Sequence, residues 1–142
     1  MLEGLVREND QVVLVCSTDS EAPEGRLILP QVQVIREILD RRAISVVLQV
    51  TQLASWFNKI KTGERERPVL VITDSQLFGS VEQHIPQEQP LTGFSILLSR
   101  TKGDFGVCLE GTKTIDRLRD GDHILLLESC SHHSTCDDIG RV

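Results

Sequence analysis

Val12-Val13-Leu14-Val15-Cys16 is a short, unbroken, mostly β-branched run with no charged residue to turn toward water. Such a strand suits burial on both faces, and strands buried on both faces belong to parallel sheets covered by helices on each side. The segments that follow keep to that plan. After a loop from Ser17 to Leu29, Pro30 stands where a first helical turn tolerates it. Val34, Ile35, Ile38 and Leu39 then form one apolar face, and Arg41 and Arg42 suit a helix C-terminus. Ile44 to Val50 reads as a second strand, and Thr51 caps a helix with Leu53, Trp56, Phe57 and Ile60 on one face until Gly63 ends it. Pro68 to Thr73 is a third strand, and Asp74 or Ser75 caps a helix lined by Leu77, Phe78, Val81 and Ile85.

Beyond Pro90 the period is less decisive. Leu91 to Leu98 reads as a short strand that turns into a helix near Phe94, since Phe94, Leu97 and Leu98 keep i, i+3, i+4 spacing. From Asp104 a helix places Cys108, Gly111, Ile115 and Leu118 on one face. Asp120-Gly121-Asp122 then turns the chain into a last strand, His123 to Glu128. The expected order is β-α-β-α-β-(β)-α-α-β, an α/β fold with a mostly parallel sheet, Rossmann-like in two or three layers. Open sheets of this kind bind ligands where their strands end. Three polar strand ends are brought to that side: residues 16–19, 73–75 and 129–133.

Length and composition set the bounds. A chain of 142 residues, 39% of them apolar, fits one ordinary domain with a core that needs no disulfide staples. No stretch approaches the ~20 apolar residues of a membrane span. The first ten residues, with Glu3, Arg7, Glu8 and Asp10, lack the apolar centre of a signal peptide, so the cytoplasm is the expected compartment. A net charge of -6 repels nucleic acid, and the basic tract from Lys59 to Arg67 is diluted by Glu64 and Glu66.

The densest chemistry lies at residues 128–138, Glu-Ser-Cys-Ser-His-His-Ser-Thr-Cys-Asp-Asp. Two of the four cysteines and two of the four histidines fall between Cys130 and Cys136. Thiolate and imidazole are the side chains best suited to zinc, iron and iron-sulfur clusters. Cys16 and Cys108, on apolar elements, read as small buried hydrophobes. His84 and His123 read as surface or strand-end residues. No phosphate loop, dinucleotide fingerprint or nucleophile elbow is present. A receiver-type phosphoacceptor centred on Asp74 fails on its neighbours: no acidic pair ends the first strand, and Glu128 stands where a lysine is wanted.

Six stretches carry a family resemblance: Glu24-Gly-Arg-Leu-Ile-Leu-Pro-Gln-Val-Gln33, Val71-Ile-Thr-Asp-Ser-Gln76, Leu91-Thr-Gly-Phe-Ser-Ile-Leu97, Lys102-Gly-Asp104, Asp120-Gly-Asp122, and Cys130-Ser-His-His133 with Asp137-Asp-Ile-Gly-Arg-Val142. In this order they resemble HydF, the iron-sulfur GTPase that serves as scaffold in maturation of the di-iron hydrogenase. The resemblance runs from about Asp10 to Val142.

It implies three parts: a GTPase domain, a middle dimerisation domain with a parallel sheet, and a domain binding a four-iron, four-sulfur cluster. On that footing residues 1–9 are a linker from an absent GTPase domain, which would hold the GTP. Residues 10–98 are the dimerisation domain, and 99–142 are the start of the cluster-binding domain. The family's cluster motif is Cys-x-His, a long spacer, then His-Cys-x-x-Cys. Cys130 carries over as a cluster thiolate and His132 as a ligand or near neighbour of the open iron. The second half of the motif is missing, so a complete cluster, usually held by about four ligands, is not expected here. His133 gains no role, and Cys136 is no part of the motif.

The resulting expectation is a non-catalytic scaffold fragment with no catalytic residue. It forms a homodimer, joined edge to edge so that each exposed strand edge is satisfied by its twin. The radical maturases and the apo-hydrogenase are the full protein's expected partners. The alternative is a small zinc-binding or redox module built from Cys130, His132, His133 and Cys136.

Overall fold

Val12, Val13, Leu14 and Val15 are all buried, and the strand they form has helices above and below it. The computed structural model describes residues 1–17 and 27–125. β1 (Gln11–Val15), β2 (Ile44–Leu48), β3 (Leu70–Thr73) and β4 (Leu91–Gly93) form one sheet in the order β2-β1-β3-β4. Every pair is parallel, with Leu14 facing Val47 on one side and Ile72 on the other. The expected α/β class is therefore the observed one, and it has three layers.

The period of two along β1 divides the core. Val12, Leu14 and Cys16 pack with Leu70 and Ile72 of β3, with Val34 and Ile38 of α1 (Leu29–Asp40), and with Phe94 and Leu97 of α4 (Phe94–Ser99). Val13 and Val15 look the other way, with Val71, onto Leu53, Trp56 and Phe57 of α2 (Val50–Lys61) and Val81 of α3 (Phe78–Glu82). Trp56 and Phe57 meet edge to face, their centroids 5.3 Å apart, and Arg65 lies over the Trp56 ring. α1 and α2 start in the same way. The Gln31 Oε1 accepts the Ile28 N–H at 3.1 Å, and the Gln52 Oε1 accepts the Gln49 N–H at 2.9 Å. Each glutamine thus reaches back, as in a capping box, to a donor its helix leaves unsatisfied. α2 consequently begins ahead of the expected Thr51 cap.

Several expectations are corrected. The third helix is shorter than its apolar period, a 3-10 turn over Ser75–Leu77 followed by the five residues of α3. The first nine residues, expected as a linker, place Leu2 and Val6 in the α1-side core. Glu37 of α1 accepts the Leu2 N–H at 2.8 Å. Part burial works to raise the Glu37 pKa, but hydrogen bonds from Leu2, the amino terminus and Arg41 outweigh it, and the carboxyl is held below its usual value. The first compact unit runs Met1–Phe105, where the expected dimerisation domain spanned 10–98.

The second unit, from Gly106, holds most of α5 (Phe105–Ile115). None of this helix's side chains is buried, so Cys108 is exposed rather than a core residue. Asp120-Gly121-Asp122 does turn, with Gly121 at φ 95° and the Asp122 carboxylate accepting the Arg119 N–H. The expected last strand does not form over residues 123–125, and its remainder lies outside the described residues. No helix among the described residues is long and apolar enough to cross a membrane.

Leu14 is fully buried at the sheet's centre and touches helices of one face only. Truncation of Leu14 to Ala should cost about 2–5 kcal/mol, read as a lower urea midpoint at unchanged slope.

Candidate functional site

Two places in the first unit combine exposed function with a defined geometry: the ends of β1 and β3, and the outer edge of β2. The first follows from strand order. The connection through α1 carries the chain from β1 to one side, and β3 lies on the other, so the crevice of an open α/β sheet falls between the ends of β1 and β3. Two of the three polar strand ends expected to converge do meet there. The Ser17 N–H reaches the Asp74 Oδ2 at 3.4 Å, and the Gln31 Nε2 donates to the same oxygen at 3.0 Å. Thr73 Oγ1 donates to the Val15 carbonyl at 3.2 Å, and the hydroxyls of Ser75 and Ser95 lie 3.2 Å apart.

Asp74 occupies the cap position of the 3-10 turn without a side-chain cap bond, and its carboxylate instead ties β3 to β1 and to the start of α1. Gln31 is buried and uses both ends of its amide, toward Ile28 and toward Asp74. This residue was missed by the sequence reading. Its signal was position, because a glutamine three residues into a helix is a capping-box residue. The crevice is a tie between elements, with its polar groups turned on one another.

Cys16 closes the crevice floor at 3% exposure. Burial, and secondarily the negative charge of Asp74, push its thiol from 9.0 up to about 12. The fold favours the neutral thiol. Its contribution to stability is complete below the unfolded thiol's pKa and is lost as pH rises from 9.0 toward about 12.

The outer edge of β2 has a different character. The Ile44 N–H donates to the Asp10 carbonyl at 2.8 Å, and the Cys16 N–H donates to the Leu48 carbonyl at 3.1 Å. Ile44 and Leu48 therefore turn their backbone groups toward β1, and by the period of two Ser45 and Val47 turn theirs outward. Among the described residues no strand pairs with that side. The strand reads Ile-Ser-Val-Val-Leu, with no charge and no proline. Val47, on the α1 face, is 45% exposed, and Ile44, on the α2 face, is 50% exposed. The opposite edge is blunted. β4 has three residues, follows Pro90 and passes straight into α4.

Other candidates separate. His84 is exposed, with Nδ1 2.7 Å from the Ser80 carbonyl oxygen, and His123 is exposed. No group of three or more His, Cys, Asp or Glu suited to a metal occurs among the described residues. Cys130 and His132, with His133 and Cys136 of the alternative zinc or redox module, lie outside the described residues.

Alkylation separates the two described cysteines. In iodoacetamide at pH 8, Cys108 should be carboxamidomethylated while Cys16 stays free until urea is added, as peptide mass mapping will show.

Both units match known family models. The family model described as the hydrogen maturase F dimerization domain matches residues 1–103. The one described as the hydrogen maturase F tetramerization domain matches residues 106–142. Their boundary coincides with the division of the chain into two units. No curated protein matches the chain.

Proposed function

The chain belongs to the hydrogen maturase F family, and from that premise we propose that its first unit self-associates through the open edge of β2. Two β2 strands meet antiparallel about a two-fold axis, so that each outward N–H and C=O of Ser45 and Val47 gains a partner. The single observation that supports this pairing is the five-residue uncharged edge, set against a β4 edge too short to offer the same. The family's dimerization and tetramerization domains both fall within the chain, so two association steps are open to it.

The role is that of a scaffold. Self-association holds copies of the maturation factor together while a di-iron precursor is received from the radical maturases and passed to the apo-hydrogenase. These steps, the cytoplasmic setting and the part of Cys130 and His132 as cluster ligands rest on family membership. No catalytic step is assigned to this chain's residues.

Proline at position 47 removes one outward N–H and leaves the ladder to β1 intact. By light scattering, Val47→Pro should halve the mass of the native assembly while the far-ultraviolet circular dichroism is retained. An unchanged mass would sink the β2 edge as the seam.

A further inference from the structure

Residues 1–7 form neither helix nor strand, so their backbone groups must find partners outside any ladder. Two charged side chains supply them. Glu37, near the end of α1, accepts the Met1 amino group at 3.2 Å and the Leu2 N–H at 2.8 Å. Arg41 steadies that carboxylate from the next turn at 3.1 Å. From the other side Arg100, at the end of α4, donates Nη1 to the Met1 carbonyl at 2.9 Å and Nη2 to the Glu3 carbonyl at 3.1 Å. The Leu5 and Val6 N–H groups then close a turn onto the Leu2 carbonyl at 3.0 and 3.2 Å, and Leu2 and Val6 are buried in the α1-side core. These residues make a strap, clasped from two sides.

Arg100 also stands where the chain leaves the first unit. Its N–H and those of Thr101 and Lys102 donate to the carbonyls of Ile96, Leu98 and Ser99, a last turn that ends α4. Residues 101–104 are all exposed, with Gly103 at φ 88°, and the second unit starts at Gly106. This exit has no apolar anchor of its own. A guanidinium carries its donors in a rigid planar fork and stays charged at any ordinary pH, so one arginine can bridge two carbonyls. Among the described residues Arg100 pairs with no carboxylate, and its fork is committed to the strap. Thr101, Lys102 and Met1 meet again in lining a shallow groove beside α1.

We propose that Arg100 joins the N-terminal strap and the exit toward the second unit into one latch, so that lifting the strap loosens residues 100–102 and losing the Arg100 fork frees the strap. Coupling through a shared side chain runs equally in both directions. The strap has two buried side chains and no ladder, which makes it an element that opens well before the sheet does. A change at the start of the chain is thereby passed to the tether of residues 106–142 while the sheet stays closed. The latch does not depend on how the β2 edge is paired.

The test is amide hydrogen exchange on the full chain, resolved to single residues. Leu5 and Val6 report on the strap, Arg100, Thr101 and Lys102 on the exit, and Val13 and Ile72 on the sheet. Arg100→Ala should speed exchange at Leu5 and Val6 by about tenfold or more, because two charge-assisted bonds are lost together. Leu2→Ala keeps Arg100 and removes the strap's buried anchor, and it should speed exchange at Arg100, Thr101 and Lys102 by a comparable factor. Val13 and Ile72 should exchange as before in both variants. The latch is overturned if Arg100→Ala leaves the strap unchanged, or if Leu2→Ala does not quicken the exit, whether or not it frees the strap. Equal quickening at Val13 and Ile72 would mean that the whole unit had been weakened, and it overturns the latch as well.

Discussion

A strand that is buried on both faces needs a neighbour on each side and a helix layer on each face, and β1 imposes that demand on the rest of the first unit. Val12 and Leu14 require the α1–α4 layer, while Val13 and Val15 require the α2–α3 layer. β2 and β3 flank β1, which leaves β2 itself at an edge. Because all connections are parallel crossovers, each helix covers the gap between strands and cannot also cover the sheet's rim. The exposed edge of β2 is thus a consequence of where β1 sits. Its apolar composition is a separate matter, and it is the feature on which the proposed pairing rests.

The tie at the strand ends shows how the same topology fixes α1. Gln31 caps the helix through Ile28 and holds Asp74 at the end of β3, so the start of α1 is fastened to a strand it does not follow directly. Buried amides and carboxylates are costly when left unpaired, and here each answers the other. The tie at the start of α1 acts together with the burial of Val34 and Ile38, which seat the helix on the sheet.

Much of the first unit was legible because its signals are local. The strand runs and the apolar faces of α1 and α2 follow from period and composition alone, while the change from strand to helix after Gly93 was favoured on a run too short for its period to decide. Strand order was not legible, since nothing in Ile44-Ser-Val-Val-Leu48 says whether one neighbour or two will flank it. The edge was therefore invisible, although its residues were in plain view. α5 misled for a related reason. Cys108, Gly111, Ile115 and Leu118 keep a helical period, but a period shows that a face is apolar and does not show what covers it. The clustered cysteines and histidines at 130–136 remain a reading of the sequence, because those residues lie outside the described structure.

An apolar parallel sheet with a bare rim is ordinarily an aggregation hazard, since every copy can add to the next. Two features make the hazard finite here. The far rim is closed by the brevity of β4 and its immediate turn into α4, so among the described residues the sheet has one long open edge and not two. A single edge meeting its own copy closes about a two-fold and leaves nothing to extend. Growth beyond the pair must then come from a different surface. The separate match of residues 106–142 to a tetramerization domain fits that division of labour. On the proposed reading, pairing through one edge and assembling through another unit would let the two steps be set independently.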